Sequence, residues 1–243
     1  MARAAILTVG NELLSGDVEN TNGSWLARRL AELGVEVTLI AVVADEIDRV
    51  AAFVREQAAA VDVVVVTGGL GGTPDDVTRE SIAAAFGVGQ VEVGDVAARL
   101  RARFTGDPEY AARWALLPEG SRPLEIPNGG APGFVIENVY VLPGLPAEME
   151  AMFETIADEL RAASPIQSWR HVYRTRESTI ASVLELCGER YPAVSVGSYP
   201  SFRPDGPEVE VVVKANDPDA LAAASDWLAG ELARVIDSYP ERG

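Results

Sequence analysis

Apolar positions in the first half of the chain form short unbroken runs, separated by stretches with helical period. Residues 3–10, RAAILTVG, are apolar almost throughout and stop at a glycine, which predicts a buried parallel strand. Asn22 or Ser24 is then placed to cap a helix through Trp25, Leu26, Leu30 and Leu33, stopped by Gly34. VEVTLIAVVAD predicts a second strand, with Asp45 at its end able to cap a helix carrying Val50, Phe53 and Val54. VDVVVVTGG predicts a third, followed by the loop TGGLGGTPDDVT (67–78) and the helix TRESIAAAF. This β-α-β-α-β-α order predicts an open, mostly parallel sheet with helices on both faces, a three-layer α/β/α sandwich. Ligands of such sheets bind beyond the carboxyl ends of the strands. The stretches Gly10–Thr21, Ala44–Asp45 and Gly68–Asp76 are therefore expected to meet at one crevice.

Farther along, residues 95–116 read as helix broken at Gly106–Pro108, and PGFVIENVYVLPG (132–144) as two short strands around Glu137-Asn138. Pro146 starts a helix through Met149, Met152, Phe153, Ile156 and Leu160. AASPIQS (162–168) has no apolar period and predicts a boundary between domains 1–165 and 166–243. The second reads β-α-β-β-α: WRHVYRT, a helix Thr179–Arg190, AVSVGSYP, EVEVVVKAN and a helix Pro218–Ile236, together a small α+β domain.

With 243 residues and 48% apolar content the chain can bury a sizeable core. The N-terminus reads directly into a strand, and no apolar run approaches the ~18–20 residues that cross a bilayer. A soluble, cytoplasmic protein is expected. Cys187 is the only cysteine and His171 the only histidine. An intramolecular disulfide and a Cys/His zinc site are excluded, and a Ser–His–Asp or Cys–His centre is disfavoured. Polar chemistry falls to carboxylates, hydroxyls and backbone amides, which suit a hard divalent ion such as Mg2+. The net charge of −17, with Lys214 as the one lysine, disfavours nucleic acid and anionic membranes as partners. It suggests a high-salt cytoplasm, the plainer alternative being an ordinary acidic protein from an arginine-preferring, GC-rich genome.

Three segments carry candidate chemistry. In the 67–78 loop, Gly68, Gly69, Gly71 and Gly72 permit unusual backbone angles and let a phosphate approach N–H groups, while the following helix aims its N-terminus there. Asp76 could hold a metal at the helix entrance; the plainer reading is that Asp75, Asp76 and Thr78 only cap the helix. GNELLSGDVENTN (10–22) offers Glu12, Ser15, Asp17, Asn20, Thr21 and Asn22, more polar atoms than a β-to-α turn requires. PNGGAPGF (127–134) and LPGLPAE (142–148) are rigid turns.

Together, TVGNELLSGDVENTN, TGGLGGTPDDVT, GGAPGF and LPGLPAE resemble the molybdopterin-binding (MoaB/MogA-type) domain, in the branch found at the front of CinA, competence/damage-inducible protein A. The resemblance spans residues 4–160. It implies metal-dependent cleavage of a nucleotide pyrophosphate such as ADP-ribose, or nucleotide transfer to molybdopterin; binding of a pterin or nucleotide without turnover is a third possibility. It places Asp45 and Asp76 at the two acidic metal positions and Gly68, Gly69 and Gly71 on the phosphate loop, with Thr73 and Thr78 matching the branch's threonines. Glu12 or Asp17 would position water. The catalytic candidates are thus Asp45, Asp76 and Glu12. The nucleotide- and phosphate-binding candidates are Gly10, Ser15, Gly16, Asp17, Asn20, Asn22, Thr67, Gly68, Gly69, Gly71, Thr73, Thr78, Gly144 and Pro146. Gly72 stands where the branch usually has proline, which is expected to loosen the loop. The tail from 166 resembles the KH-type domain of CinA proteins but lacks a G-x-x-G loop and carries 8 basic against 12 acidic residues, so packing or dimerisation is expected of it rather than RNA binding. A homodimer or higher homo-oligomer is expected.

Overall fold

The computed structural model describes residues 2–124, 130–162, 165–204 and 206–238. The chain divides into two compact units, residues 1–162 and 163–243.

The first unit is built on a six-stranded sheet in the order β2-β1-β3-β8-β7-β6. Strands β1 (Ala2–Val9), β2 (Val35–Val43), β3 (Val63–Thr67) and β8 (Val139–Leu142) run parallel. The strands β6 (Arg122–Leu124) and β7 (Gly133–Ile136) continue the sheet through antiparallel pairs. The β7–β8 hairpin turns at Glu137, the one described non-glycine residue with positive φ (50°), next to Asn138, whose side-chain amide donates to the carbonyls of Ala58 and Val61. Strand alternation sends side chains to opposite faces. Ala4 and Ile6 pack with Leu26 and Leu30 of α2 (Thr21–Glu32) and Met149, Met152 and Phe153 of α7 (Pro146–Leu160). Leu7 and Val9 pack with Val50 and Val54 of α3 (Ile47–Ala60) and Ile82 of α4 (Thr78–Phe86). Two apolar clusters on one sheet make the three-layer sandwich.

A side lobe follows α4. It contains the pair β4 (Gln90–Glu92) and β5 (Leu116–Pro118), the helices α5 (Gly94–Arg103) and α6 (Pro108–Ala112), and a 3-10 turn Arg113–Ala115. Its own small core is Val96, Ala97, Leu100, Ala111, Ala112 and Ala115, with Phe104 and Trp114 against it.

The second unit has β9 (Gln167–Tyr173), α8 (Glu177–Arg190), β10 (Ser195–Arg203), β11 (Gly206–Ala215) and α9 (Pro218–Ser238). Its antiparallel sheet has the order β10-β11-β9, and Val209, Val211 and Val213 pack with Ile180, Val183 and Cys187 of α8 and Leu221, Ala224 and Leu228 of α9. Cys187 is fully buried, and burial pushes its thiol pKa up, so it is a core residue. His171 stacks on Trp169 and meets Tyr173 at a tilt along β9.

Some local expectations are corrected. Asn20, not Asn22 or Ser24, caps α2, accepting from Gly23 N at 2.9 Å. Asp45 does not cap α3; the N-cap is Glu46, and Asp45 instead accepts from Asn11 N at 2.8 Å. The 10–22 segment contains a one-turn helix, α1 (Asn11–Ser15), which buries no side chain and so leaves no apolar stripe in the sequence. Strands β4, β5 and β6 are three residues each, too short for a period of two to show, and Pro118 and Pro123 interrupt the strand signature.

Candidate functional site

The loops after β1, β2, β3 and β8 all leave the carboxyl ends of parallel strands. They enclose one cavity of about 680 Å³. Its lining includes Glu12, Asn20, Thr21 and Asn22 from the first loop, Asp45 from the second, Thr67–Gly71, Asp75 and Asp76 from the third, and Pro143–Pro146 from the fourth. Gly130, Ala131, Phe104 and Trp114 complete the wall. Residues 127–129 of the PNGGAPGF turn lie outside the described residues.

The glycine loop has a definite construction. Gly68 (φ 105°) and Gly69 (φ 62°) occupy the left-handed region. A Cβ on Gly68 would collide with the carbonyl oxygen of Val9, and one on Gly69 with the Thr78 hydroxyl. Four successive carbonyls are tied to the start of α4. Gly68 O accepts from Thr78 Oγ1 at 2.8 Å and Gly69 O from Thr78 N at 3.1 Å. Leu70 O and Gly71 O accept from Arg79 Nη1 and Nη2 at 2.6 and 2.8 Å. A planar trans peptide points its N–H opposite to its C=O, so the N–H groups of residues 69–72 turn away from the helix. Gly71 N is taken by Asp76 Oδ1 at 2.8 Å. Those of Gly69, Leu70 and Gly72 have no protein acceptor among the described residues. The adjacent amides of Gly69 and Leu70 are thus left for an anion, as in a backbone nest.

Asp76 closes the loop from the other side. Its Oδ2 accepts from Thr73 N at 2.8 Å and Thr73 Oγ1 at 2.5 Å, so three of about four carboxylate acceptor positions are used. Val77 is the N-cap of α4 and makes no side-chain cap bond; neither Asp76 nor Thr78 acts as the helix cap. Gly72 does not loosen the loop. The Tyr110 hydroxyl donates to its carbonyl, and a Cβ at this position would lie 2.6 Å from Trp114 Nε1 and 2.8 Å from the Tyr110 ring. The missing side chain lets the side lobe close on the loop.

Asp45 sits among acids. Burial pushes its pKa above the ordinary carboxylate value, the Asn11 amide pulls it down, and the charges of Glu12, Asp75 and Asp76 raise it further. An added cation would relieve that repulsion. Asp45 Oδ2 is used by Asn11, while no protein donor engages Oδ1. Among the described residues no three Asp, Glu, His or Cys side chains gather into a ready ion cage. A hard divalent ion bound here would therefore take one carboxylate, water and substrate phosphate rather than an all-protein cage. Asp45 would then hold the ion directly, and Asp76, largely engaged in the loop, through water.

Asn22 bridges the strands: its Nδ2 donates to Gly144 O at 2.8 Å and Thr67 Oγ1 at 3.2 Å, and Thr67 Oγ1 donates to Pro143 O at 2.6 Å. Its Oδ1 is buried without a partner among the described residues, as is Trp114 Nε1.

The remaining candidates stand elsewhere. Gly10 N donates to Val43 O, joining the ends of β1 and β2. Ser15 Oγ donates to Asp17 Oδ2 at 2.6 Å on an exposed turn, and Gly16 is the left-handed end of α1; none of the three lines the cavity. Thr73 and Thr78 shape the loop from behind without lining it. Arg79, Trp114, Phe104 and Asp75 were not among the candidates. Arg79 had a legible signal, a cation in the first turn of a helix, where the macrodipole disfavours it.

Comparison with known proteins agrees with this geometry. The family model described as "Probable molybdopterin binding domain" matches residues 5–162. The solved structure of CinA from Thermoplasma acidophilum, described as of unknown function, is similar with a TM-score of 0.62 and 34% identity, over 66% of this chain and 99% of that one. The chain belongs to the CinA-like family. A CinA-like protein from Frankia casuarinae is 45% identical over 75% of this chain, and one from Geobacter is 36% identical over 98% of it. This chain spans only 46% and 59% of the lengths of those two relatives. A protein from Pyrobaculum calidifontis is 38% identical, and there 98% of this chain matches 97% of the relative. Residues 165–240 match the model described as "FAD synthase, middle domain". That description stands in place of the KH-type likeness expected from the sequence. Among the described residues no helix is long and apolar enough to cross a membrane.

Proposed function

We propose that the 1–162 unit hydrolyses a nucleotide pyrophosphate, with ADP-ribose or a similar dinucleotide as substrate class and a divalent ion, Mg2+ first, as cofactor. The observation that carries this reading is the loop 68–71, whose carbonyls are bound behind it and whose free amides stand at a cavity shared with Glu12 and Asp45. The amides would hold phosphoryl oxygens and stabilise the charge that grows on them as water attacks. The water oxygen bonds to one phosphorus while the bridging P–O bond breaks, so ADP-ribose would yield AMP and ribose 5-phosphate. Glu12, exposed at the cavity and without an ion pair among the described residues, would orient that water and take its proton. A bound divalent ion would supply further neutralisation of phosphate charge. Phe104 and Trp114 give the cavity an aromatic wall suited to a base.

Nucleotide transfer to molybdopterin is the second reading, favoured by the family description over residues 5–162. The same amides and acids would serve a pterin phosphate as acceptor. Binding without turnover is the third. We also propose that the protein works in high salt and forms a homodimer through the 166–243 unit.

The test is a screen of ADP-ribose, FAD, NAD and ATP plus molybdopterin against several divalent metals in multi-molar KCl. Metal-dependent release of a nucleoside monophosphate supports hydrolysis. Adenylylated molybdopterin would replace it with transfer, and saturable binding without product would leave only the binding role.

A further inference from the structure

Arg79 breaks two rules at once. It is a cation in the first turn of α4, against the helix dipole, and it is 5% exposed. Buried guanidinium groups are ordinarily paired with a carboxylate. Here both donated bonds go to neutral carbonyls, those of Leu70 and Gly71. Asp76 and Glu80 act on it through space without an ion-pair contact. Asp76 is itself committed to Gly71 and Thr73. The buried charge thus lies behind the Leu70–Gly71 and Gly71–Gly72 peptides, of whose amides Gly71 N is held by Asp76 and Gly72 N is free, with no counter-charge in contact among the described residues.

We propose that Arg79 is the positioning and specificity-determining residue of the anion site, favouring a polyanionic phosphate over a monophosphate. This deepens the phosphate-loop reading and rests on it. Its planar fork gives each of two successive carbonyls its own nitrogen, which the single nitrogen of a lysine ammonium cannot do. Holding them inward fixes the peptide planes that present Gly71 N to Asp76 and Gly72 N outward. Its charge supplies the attraction that grows with the negative charge of the ligand. A bound diphosphate completes the pairing that the protein leaves open.

The experiment uses the full chain and two probes, inorganic pyrophosphate and inorganic phosphate, titrated calorimetrically against wild type, Arg79→Lys and Arg79→Met. Circular dichroism establishes that each variant is folded. Wild type is expected to prefer pyrophosphate. Arg79→Met is expected to lose roughly tenfold or more in pyrophosphate affinity, the range for a bond to a charged group, with a smaller loss for phosphate, so that the preference collapses. Arg79→Lys, which keeps charge but not the fork, is expected to weaken both probes and retain the preference. Equal weakening of both probes in Arg79→Met would reduce Arg79 to a structural tie and overturn the proposal, as would wild-type affinities in that folded variant. If Arg79→Met does not fold, Arg79→Lys decides alone: weaker binding with the preference kept supports the proposal, and unchanged affinity or a lost preference overturns it. Wild type that binds neither probe would overturn the phosphate-loop reading itself, an outcome distinct from the others.

Discussion

Asp45 and Asp76 have the same side chain and opposite situations. Asp76 gives its oxygens to the loop, accepting from Gly71 N, Thr73 N and Thr73 Oγ1. Asparagine there would turn an N–H2 toward donors that need an acceptor. Asp76→Asn is expected to cost about 1–3 kcal/mol and to speed amide exchange across 67–78, with or without metal. Unchanged melting and exchange would show that these bonds do not hold the loop. Asp45 is strained by burial and by its acidic neighbours, so the folded protein holds its proton more tightly than the unfolded chain does. The linkage sign follows: stability falls as pH rises from the ordinary value of 3.8 through the raised folded value. Asp45→Asn still accepts from Asn11 N and removes the repulsion. Without metal it is expected to melt roughly 1–2 °C higher at neutral pH, with no advantage in acid where both forms are neutral. Mg2+ should stabilise wild type and not the variant. A variant that melts lower at neutral pH would contradict the electrostatic account of this residue.

At the scale of elements, β1, β3 and α2, α3, α4 and α7 were legible because each buries a run or stripe long enough to show its period, and β2 because its apolar run is long, although most of it is not buried. The convergence of their loops followed from topology alone. What the sequence concealed depends on single contacts. Asn20 and Asn22 are equivalent as letters, and only the fold shows that one caps α2 while the other crosses to Thr67 and Gly144. Gly72 was misread because a glycine in place of proline signals flexibility, whereas its actual neighbours are Trp114 and Tyr110, about forty positions away. Restoring the ring by Gly72→Pro is expected to push Tyr110 and Trp114 off the loop, with a destabilisation of about 1–3 kcal/mol from overpacking and a red shift of tryptophan emission. A variant with unchanged emission and melting would show that the side lobe does not close on Gly72. The aromatic wall of the cavity was concealed for the same reason, since Phe104 and Trp114 come from a lobe whose strands are too short to read.

For the whole molecule, the charge of −17 is a property of the surface that both units share. Repulsion among excess carboxylates opposes compactness and is screened by salt. The unfolding midpoint is expected to rise with KCl concentration into the molar range, and a flat or falling midpoint would remove the high-salt reading. The central claim concerns where a ligand binds, and amide hydrogen exchange with ADP-ribose and Mg2+ tests it most directly. The account predicts slowed exchange in 67–78 together with 10–22 and 142–148, while segments of the second unit stay unchanged. Saturable ADP-ribose binding that leaves 67–78 unprotected, or no binding at any metal or salt concentration, would contradict it.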